Sequence, residues 1–283
     1  MKINDFGSLY IVATPIGNLD DITARAISTL KAVACIAAED TRHSLPLLHH
    51  FAINTPLFAF HEHNERESTE KLVQRLQQGE SIALISDAGT PLLSDPGFFL
   101  VREARKAGVR VIPIPGPCAA ITALSAAGLP TDRFTFEGFL PAKSKQRIER
   151  LEKLRNESRT LIFYEAPHRI LDLIRDASTV FGEERIAVIA RELTKRFETI
   201  HSAALGKLEK IVEADPNQQR GEIVVLIEGV KEIDTESKNS DADRILNVLL
   251  ESLPLKQAVE IAAKITGERK NQLYEQALRI QAK

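Results

Sequence analysis

Residues 82–91 read Ile82-Ala83-Leu84-Ile85-Ser86-Asp87-Ala88-Gly89-Thr90-Pro91. Four apolar residues pass directly into an acid and a glycine turn. A short, unbroken apolar run of this kind reads as a strand buried on both faces, as in parallel sheets covered by helices. Open α/β sheets bind ligands beyond the carboxyl ends of their strands, and Asp87 stands at such an end. The small residues after it let backbone approach a ligand, and a carboxylate accepts bonds from an amine or a ribose hydroxyl. Asp-x-Gly is also ordinary turn chemistry, so spacing alone does not choose between a site and a turn.

The pattern recurs outward in both directions. Residues 9–13 (LYIVA) run into Thr14-Pro15-Ile16-Gly17-Asn18, and 110–114 (RVIPI) into Pro115-Gly116-Pro117. Residues 159–164 (RTLIFY) run into Glu165-Ala166-Pro167, 185–190 (RIAVIA) into Arg191-Glu192, and 222–227 (EIVVLI) into Glu228-Gly229. Between them, apolar residues fall at helical spacing over 22–32, 68–78, 98–107 and 118–127, the last three followed by glycine. Strand–helix alternation predicts an α/β fold with largely parallel sheets. Two α/β domains are expected, at 1–120 and 121–230, the second opening with Arg133-Phe134-Thr135-Phe136-Glu137-Gly138-Phe139. The polar stretch 231–243 (KEIDTESKNSDAD) reads as a linker. Residues 244–283 read as a helix-turn-helix-like tail, with helices at 244–252, 255–265 and 268–281 broken by Pro254 and Thr266-Gly267.

The bulk numbers exclude several classes. With 283 residues, 43% hydrophobic and 27% charged, the chain is of ordinary globular composition. A net charge of −2 gives no global pull toward nucleic acid, so any such contact is local. Cys35 and Cys118 make no disulfide framework and fit a reduced cytoplasmic compartment. The amino terminus lacks a signal pattern, and no apolar run approaches the ~20 residues of a membrane span. There is no G-x-G-x-x-G, no G-x-x-x-x-G-K-[ST] and no G-x-S-x-G, which disfavours dinucleotide, triphosphate and acyl-serine sites.

Several further segments carry chemistry, each with a plainer alternative. In Pro115-Gly116-Pro117-Cys118-Ala119-Ala120, Pro117 suits a first helical turn, and the N–H groups after it suit a carboxylate; the alternative is a well-capped, tightly packed helix. Nothing nearby supplies a base to make Cys118 a nucleophile. In residues 14–23 a tight turn follows a strand, with Asp20 or Asp21 expected to cap a helix. Ala37-Ala38-Glu39-Asp40-Thr41-Arg42-His43 sets two acids beside Arg and His, for proton handling or as a solvated loop. Residues 165–169 and 191–195 likewise put charges at strand ends. His43, His49, His50, His61 and His63 read as solvated loop residues and not as a metal site. Residues 143–155 hold six bases against two acids, either a phosphate-binding patch or a solvated helix face. Arg269, Lys270 and Arg279 form a smaller basic set in the tail.

Taken in order, these pieces resemble the bacterial small-subunit ribosomal RNA ribose 2′-O-methyltransferases, a family of the tetrapyrrole-methylase-like superfamily. The likeness is nearly end to end. It is carried by residues 10–23 (YIVATPIGNLDDIT), 37–43 (AAEDTRH), 86–97 (SDAGTPLLSDPG), 113–129 (PIPGPCAAITALSAAGL), 136–145 (FEGFLPAKSK), 161–169 (LIFYEAPHR) and 191–199 (RELTKRFET). The resemblance implies two α/β domains with S-adenosylmethionine in the cleft between them, a helix-turn-helix tail and a homodimer. It implies methyl transfer to the ribose 2′-oxygen of a cytidine in the decoding region of 16S rRNA, with the small ribosomal subunit as partner. No membrane and no structural metal are expected. Cofactor contacts are implied at Thr14 and Pro15, at Ser86, Asp87, Ala88, Gly89, Thr90 and Pro91, at Cys118, Ala119 and Ala120, and at Phe163, Tyr164 and Glu165. The superfamily has serine or threonine where Cys118 stands, which leaves a backbone contact there. The cofactor has no phosphate, in keeping with the missing phosphate loops.

The expected reaction is an in-line displacement, so positioning carries much of the catalysis. A ribose hydroxyl is a weak acid and benefits from a base or from charge stabilisation. Asp40, Asp95, Glu165 and Glu192 are the strand-end candidates for a base. Arg42 and Lys143 are candidates for steering phosphate or stabilising the oxygen. Asp87 is expected to serve the cofactor. Glu39, Asp40, Arg42, Lys143 and Arg191 are expected to face the RNA, and Glu192 to serve either. Two rivals remain at this level: a carbon methylase of tetrapyrroles using the same cofactor, and a binding-only assembly factor. The basic run and the helical tail weigh against the first, the furnished cofactor loops against the second.

Overall fold

The structure, a computed structural model, describes residues 6–230 and 236–281. These fall into two compact units, divided after Gly229. The larger unit holds two five-stranded sheets.

The first sheet is built from β1 (Ser8–Val12), β2 (Cys35–Ala38), β3 (Leu57–Ala59), β4 (Ile82–Ile85) and β5 (Arg110–Ile114). Its order is β3-β2-β4-β1-β5 and every pairing is parallel. All four residues of β4 are buried, and they divide by parity. Ala83 and Ile85 pack with Ala26 and Leu30 of α1 (Ala24–Ala32) and Leu48 of α2 (Thr41–His50). Ile82 and Leu84 pack with Leu72 and Leu76 of α3 (Glu65–Gln77) and Leu100 and Ala104 of α4 (Phe98–Lys106). An apolar strand with helices on both sides is what residues 82–85 require. The short strands β2 and β3 escape the sequence reading.

The second sheet is β6 (Phe134–Phe139), β7 (Thr160–Glu165), β8 (Ile186–Arg191), β9 (Thr199–Ala204) and β10 (Ile223–Ile227), in the order β6-β7-β10-β8-β9. Here the expectation of largely parallel pairing fails. Only β6–β7 is parallel, while β10–β7, β10–β8 and β8–β9 are antiparallel. Apolar runs say that a strand is buried, not which way it runs. One face of this sheet is covered by α7 (Ile170–Phe181) and α8 (Leu205–Ala214). The other is covered by α5 (Ala119–Ala126), joined there by Ile16 from the loop after β1. Chain that follows the first sheet thus packs on the second and holds the two together.

Helix starts correct two further expectations. Thr23, not Asp20 or Asp21, caps α1, accepting from the Ala26 N–H at 3.1 Å. The chain first makes a 3-10 turn at Leu19–Asp21, capped by Asn18, so the acids lie one turn too early. Pro117 lies outside α5, whose cap position is Cys118.

The basic run 143–155 is not a uniform patch. In α6 (Ser144–Glu152), Arg147 is buried, its side chain only 2% exposed, and Nε meets Asp176 Oδ2 at 2.7 Å. Arg150 pairs with Glu137 and Arg155 with Glu152. Lys143, Lys145 and Lys153 remain exposed.

The smaller unit is a bundle of α9 (Glu236–Leu250), α10 (Leu255–Thr266) and α11 (Lys270–Gln281) around Leu246, Val259, Ala262 and Leu273. Gly267 closes α10 in a left-handed conformation, φ 73°. The expected linker 231–243 is corrected at its second half, since residues 236–243 lie in α9. Glu, Lys and Ala in this run are good helix formers, and Ala242 joins the core of the bundle. Residues 231–235 lie outside the described residues. Among the described residues no helix is long and apolar enough to cross a membrane.

Breaking one partner of a buried ion pair leaves an uncompensated charge. Arg147→Ala is expected to destabilise the larger unit by about 3–5 kcal/mol in urea unfolding, and Arg147→Met with Asp176→Leu to recover most of that. A single-mutant loss within the error of the wild-type curve would refute the reading.

Candidate active site

Three loops far apart in sequence meet beyond the carboxyl edge of the first sheet. The Thr14 N–H donates to Gly89 O at 2.8 Å, and the Gly89 N–H to Thr14 O at 3.0 Å. Thr14 Oγ1 also reaches Ser86 O at 3.4 Å. Thr90 Oγ1 donates to Pro117 O at 2.9 Å. The turn at Gly89 needs glycine, with φ at +80°. At Gly116 a Cβ would stand 2.9 Å from Ala13 Cβ, so only glycine lets these loops close up. The Ala120 N–H donates to the Tyr164 hydroxyl at 3.2 Å, which brings the end of β7 to the start of α5.

Between the sheets lies a cleft of about 430 Å³. Of the residues implied as cofactor contacts, Asp87, Ala88, Gly89, Thr90, Ala119, Tyr164 and Glu165 line it. Thr14, Ser86 and Pro91 are buried and hold the loops. Pro15, Cys118 and Ala120 flank the wall without lining it. Phe163 departs from the expectation, because its ring is fully buried in the cluster under α7, on the face away from the cleft. Adjacent strand residues point to opposite faces, so Tyr164 and not Phe163 meets the cleft.

Glu39, from the end of β2, and Asp95 join Asp87 in the wall. Asp87 Oδ1 accepts the Asp40 N–H at 3.0 Å. Burial, then the charges of Asp95 and Asp87, push Glu39 up to about 7. Burial, with the charge of Asp87 and against a hydrogen bond from Ser86, pushes Asp95 up to about 6. Two loops at the wall also store backbone strain. Leu92 and Ser94 have φ of 75° and 71°, and Glu192 and Thr194 have 52° and 67°. Each pair flanks a leucine, Leu93 or Leu193, that lines the cleft.

The side chains expected to do the chemistry are mostly engaged elsewhere. Asp40 caps α2, accepting the Arg42 N–H at 2.8 Å, and pairs with the exposed Arg42 guanidinium. Hydrogen bonds from Arg42 hold Asp40 below the ordinary carboxylate range. Glu165 is buried and ion-paired to Arg169 at 3.0 Å, and it accepts the Ala166 N–H at 2.7 Å. Burial alone would raise Glu192, but bonds from Lys195 (2.9 Å) and from the Glu222 N–H (2.9 Å) outweigh it and lower it. Neither Arg42, Lys143 nor Glu192 lines the cleft. Arg191, expected to face RNA, is 7% exposed and donates to Phe197 O at 2.9 Å and to Thr199 Oγ1 at 3.2 Å. Its charge holds the loop after β8. Glu222 and Phe139 line the cleft although the sequence reading gave neither a role. For Phe139 a signal was present: a glycine inside a strand marks a bulge.

The lining has five acids and no Lys or Arg. It therefore suits a ligand with positive charge and without phosphate. Small residues at 88, 89, 119 and 166 open the backbone of the wall to that ligand. A sulfonium with an amino-acid end and an adenosine fits this donor set.

Residues 8–209 match the tetrapyrrole (corrin/porphyrin) methylases, and the chain belongs to that family. Residues 236–281 match the RsmI C-terminal HTH domain. The chain is 60% identical over 278 residues to ribosomal RNA small subunit methyltransferase I of Pseudomonas aeruginosa, covering 98% of this chain and 99% of that protein. It is 58% identical over 275 residues to the Escherichia coli O157:H7 protein of that name, covering 97% and 96%. Within the methylases it is thus a member of the ribosomal RNA small subunit methyltransferase I family, an enzyme that works with a methyl donor. In fold it is similar to diphthine synthase, with a TM-score of 0.60, 14% identity and coverage of 78% and 90%. Uroporphyrin-III-C-methyltransferase from Thermus thermophilus gives a TM-score of 0.54, 18% identity and coverage of 78% and 94%.

A carboxyl whose folded pKa is raised stabilises the fold below its unfolded value, and that stability is lost as pH rises through the folded value. For Glu39 the window runs from 4.5 to about 7. Glu39→Gln is therefore expected to raise Tm at pH 8 and to leave it nearly unchanged at pH 4.5. Equal shifts at both pH values in scanning calorimetry would sink the assignment.

Proposed function

We propose that this chain uses S-adenosylmethionine to methylate the ribose 2′-oxygen of a cytidine in 16S rRNA, in the cytoplasm and as a homodimer. The observation that carries the cofactor is the acidic cleft, without Lys or Arg in its lining, formed where the loops at 14, 86–91 and 117–119 are hydrogen-bonded together. The RNA substrate rests on near full-length relatives named as small-subunit rRNA methyltransferases. The position of the methyl group and the homodimer rest on the sequence resemblance.

When bound, S-adenosylmethionine supplies an electrophilic methyl group on a cationic sulfur. Asp87 and Glu39 provide the negative potential that favours a cation at the wall. At the start of α5 the Ala120 N–H is taken by Tyr164, and Ala119, which lines the cleft, is placed to offer its backbone N–H to a carboxylate. Ile16, Leu93 and Leu193 give the wall between them an apolar surface. Of the four candidate bases, Asp95 and Glu165 line the cleft, and burial raises both. Glu165 is ion-paired to Arg169, as Asp40 is to Arg42 and Glu192 to Lys195, which leaves Asp95, pushed up to about 6. Asp95 therefore accepts the 2′-hydroxyl proton. An acceptor near the operating pH does this best. Lys143 and Arg42, exposed outside the lining, meet phosphates.

Two outcomes follow. Asp87→Ala is expected to weaken cofactor binding at least tenfold in calorimetry while circular dichroism stays native; normal binding would sink its role. As pH falls through 7 and then 6, Glu39 and Asp95 lose their charge. Affinity for S-adenosylmethionine is then expected to fall more than affinity for the uncharged thioether S-adenosylhomocysteine. Parallel pH profiles for the two ligands would contradict the electrostatic account.

A further inference from the structure

Along β6, Phe134 and Phe136 keep register with Thr160 and Ile162, but the register slips between Phe136 and Gly138, and Phe139 pairs with Tyr164. In an unbroken ladder Phe139 would stand beside the buried Glu165. Residues paired across a ladder share a face, so the slip turns Phe139 onto the face of Tyr164, into the cleft. Bulges near active sites re-aim side chains in this way. Gly138 makes it possible with φ at +64°, and a Cβ there would stand 3.1 Å from Ser94 Oγ. The strand end is thereby pressed against the strained loop that carries Asp95.

Phe139 remains 55% exposed. Its ring lies edge-on to Tyr164, with centroids 5.8 Å apart at 63°. The chain beyond it is gripped from below: Arg169 Nη2 donates to Leu140 O at 2.6 Å and Arg147 Nη1 to Ala142 O at 3.2 Å. Asp176 holds Arg147 and also Ser144. Lys143, at the cap of α6, and Lys145, in its first turn, are both exposed. An open aromatic ring followed by ammonium groups on a rigid support is the chemistry that receives an unstacked base and its phosphates.

The geometry points to Phe139 as the platform on which the substrate nucleobase stacks, with Lys143 and Lys145 on the flanking phosphates. This rests on the reading of the cleft as an RNA ribose methylase. Ring and proton acceptor flank one contact, since Gly138 meets Ser94, Phe139 follows the first and Asp95 the second. One extruded nucleoside thus presents its base to Phe139 and its ribose to Asp95. Such enzymes replace the stacking lost in the nucleic acid by stacking in the pocket.

The test uses the full chain, small ribosomal subunits and radiolabelled cofactor. Phe139→Ala and Phe139→Leu are expected to lower kcat/KM for the subunit about 10- to 100-fold, with Phe139→Tyr near wild type. Cofactor affinity by calorimetry and Tm are expected to stay unchanged in all three. Lys143→Ala and Lys145→Ala are expected to reduce the salt slope of subunit binding by about one each. A leucine variant as active as wild type would show that the ring only fills space. A parallel loss of cofactor affinity would make Phe139 a wall of the cofactor site. Either overturns the inference, as does an unchanged salt slope for its phosphate half. Absence of methyl transfer by the wild-type enzyme itself would fell the functional reading beneath it.

Discussion

Two hydrogen bonds between Thr14 and Gly89 hold the site together. They join the turn after β1 to the turn after β4, strands that are already neighbours in the first sheet. Thr90 then carries the connection to Pro117, and α5 carries it onto the second sheet. The cleft exists because these loops are fixed to one another, not because any one of them is rigid. Close approach is permitted by glycine at 89 and 116, where a side chain would meet Ile16 or Ala13.

What the fold concentrates there is unfavourable by itself. Burial, and then the charge of neighbouring acids, raises the cost of ionising Glu39 and Asp95. Left-handed residues flank Leu93 and Leu193 in the facing loops. Such features persist only where surrounding structure over-determines them. Here the support is the doubly covered parallel sheet on one side and the Arg169–Glu165 and Arg191 anchors on the other. The same charge that strains the fold suits a cationic methyl donor.

The second sheet performs a different task. From the sequence its run 143–155 reads as a phosphate-binding patch or a solvated face and Arg191 as facing RNA, yet Arg147, Arg169 and Arg191 are spent on carbonyl, hydroxyl and carboxylate partners inside the unit. Arg147 and Arg169 fix the turn that follows Phe139, and Arg191 fixes the loop after β8. A positive run in sequence thus divides into buried anchors and exposed charges, and only the fold decides which is which.

The chain by itself determined the buried strands, the glycine and acid turns at their ends, and the helices closed by glycine. These depend on residues close in sequence, through side-chain alternation and backbone freedom at Gly89 and Gly267. It likewise placed Asp87, Ala119 and Tyr164 at strand or helix ends, where a ligand belongs. Only the tertiary structure decided the antiparallel run of β10, the turning of Phe163 away from the cleft, and the bulge that turns Phe139 into it. It alone decided that Asp40, Glu165 and Glu192 are paired with basic partners while Asp95 lines the cleft without one. Ladder direction, register and the partner of a charge depend on groups tens of residues away, which no local pattern encodes.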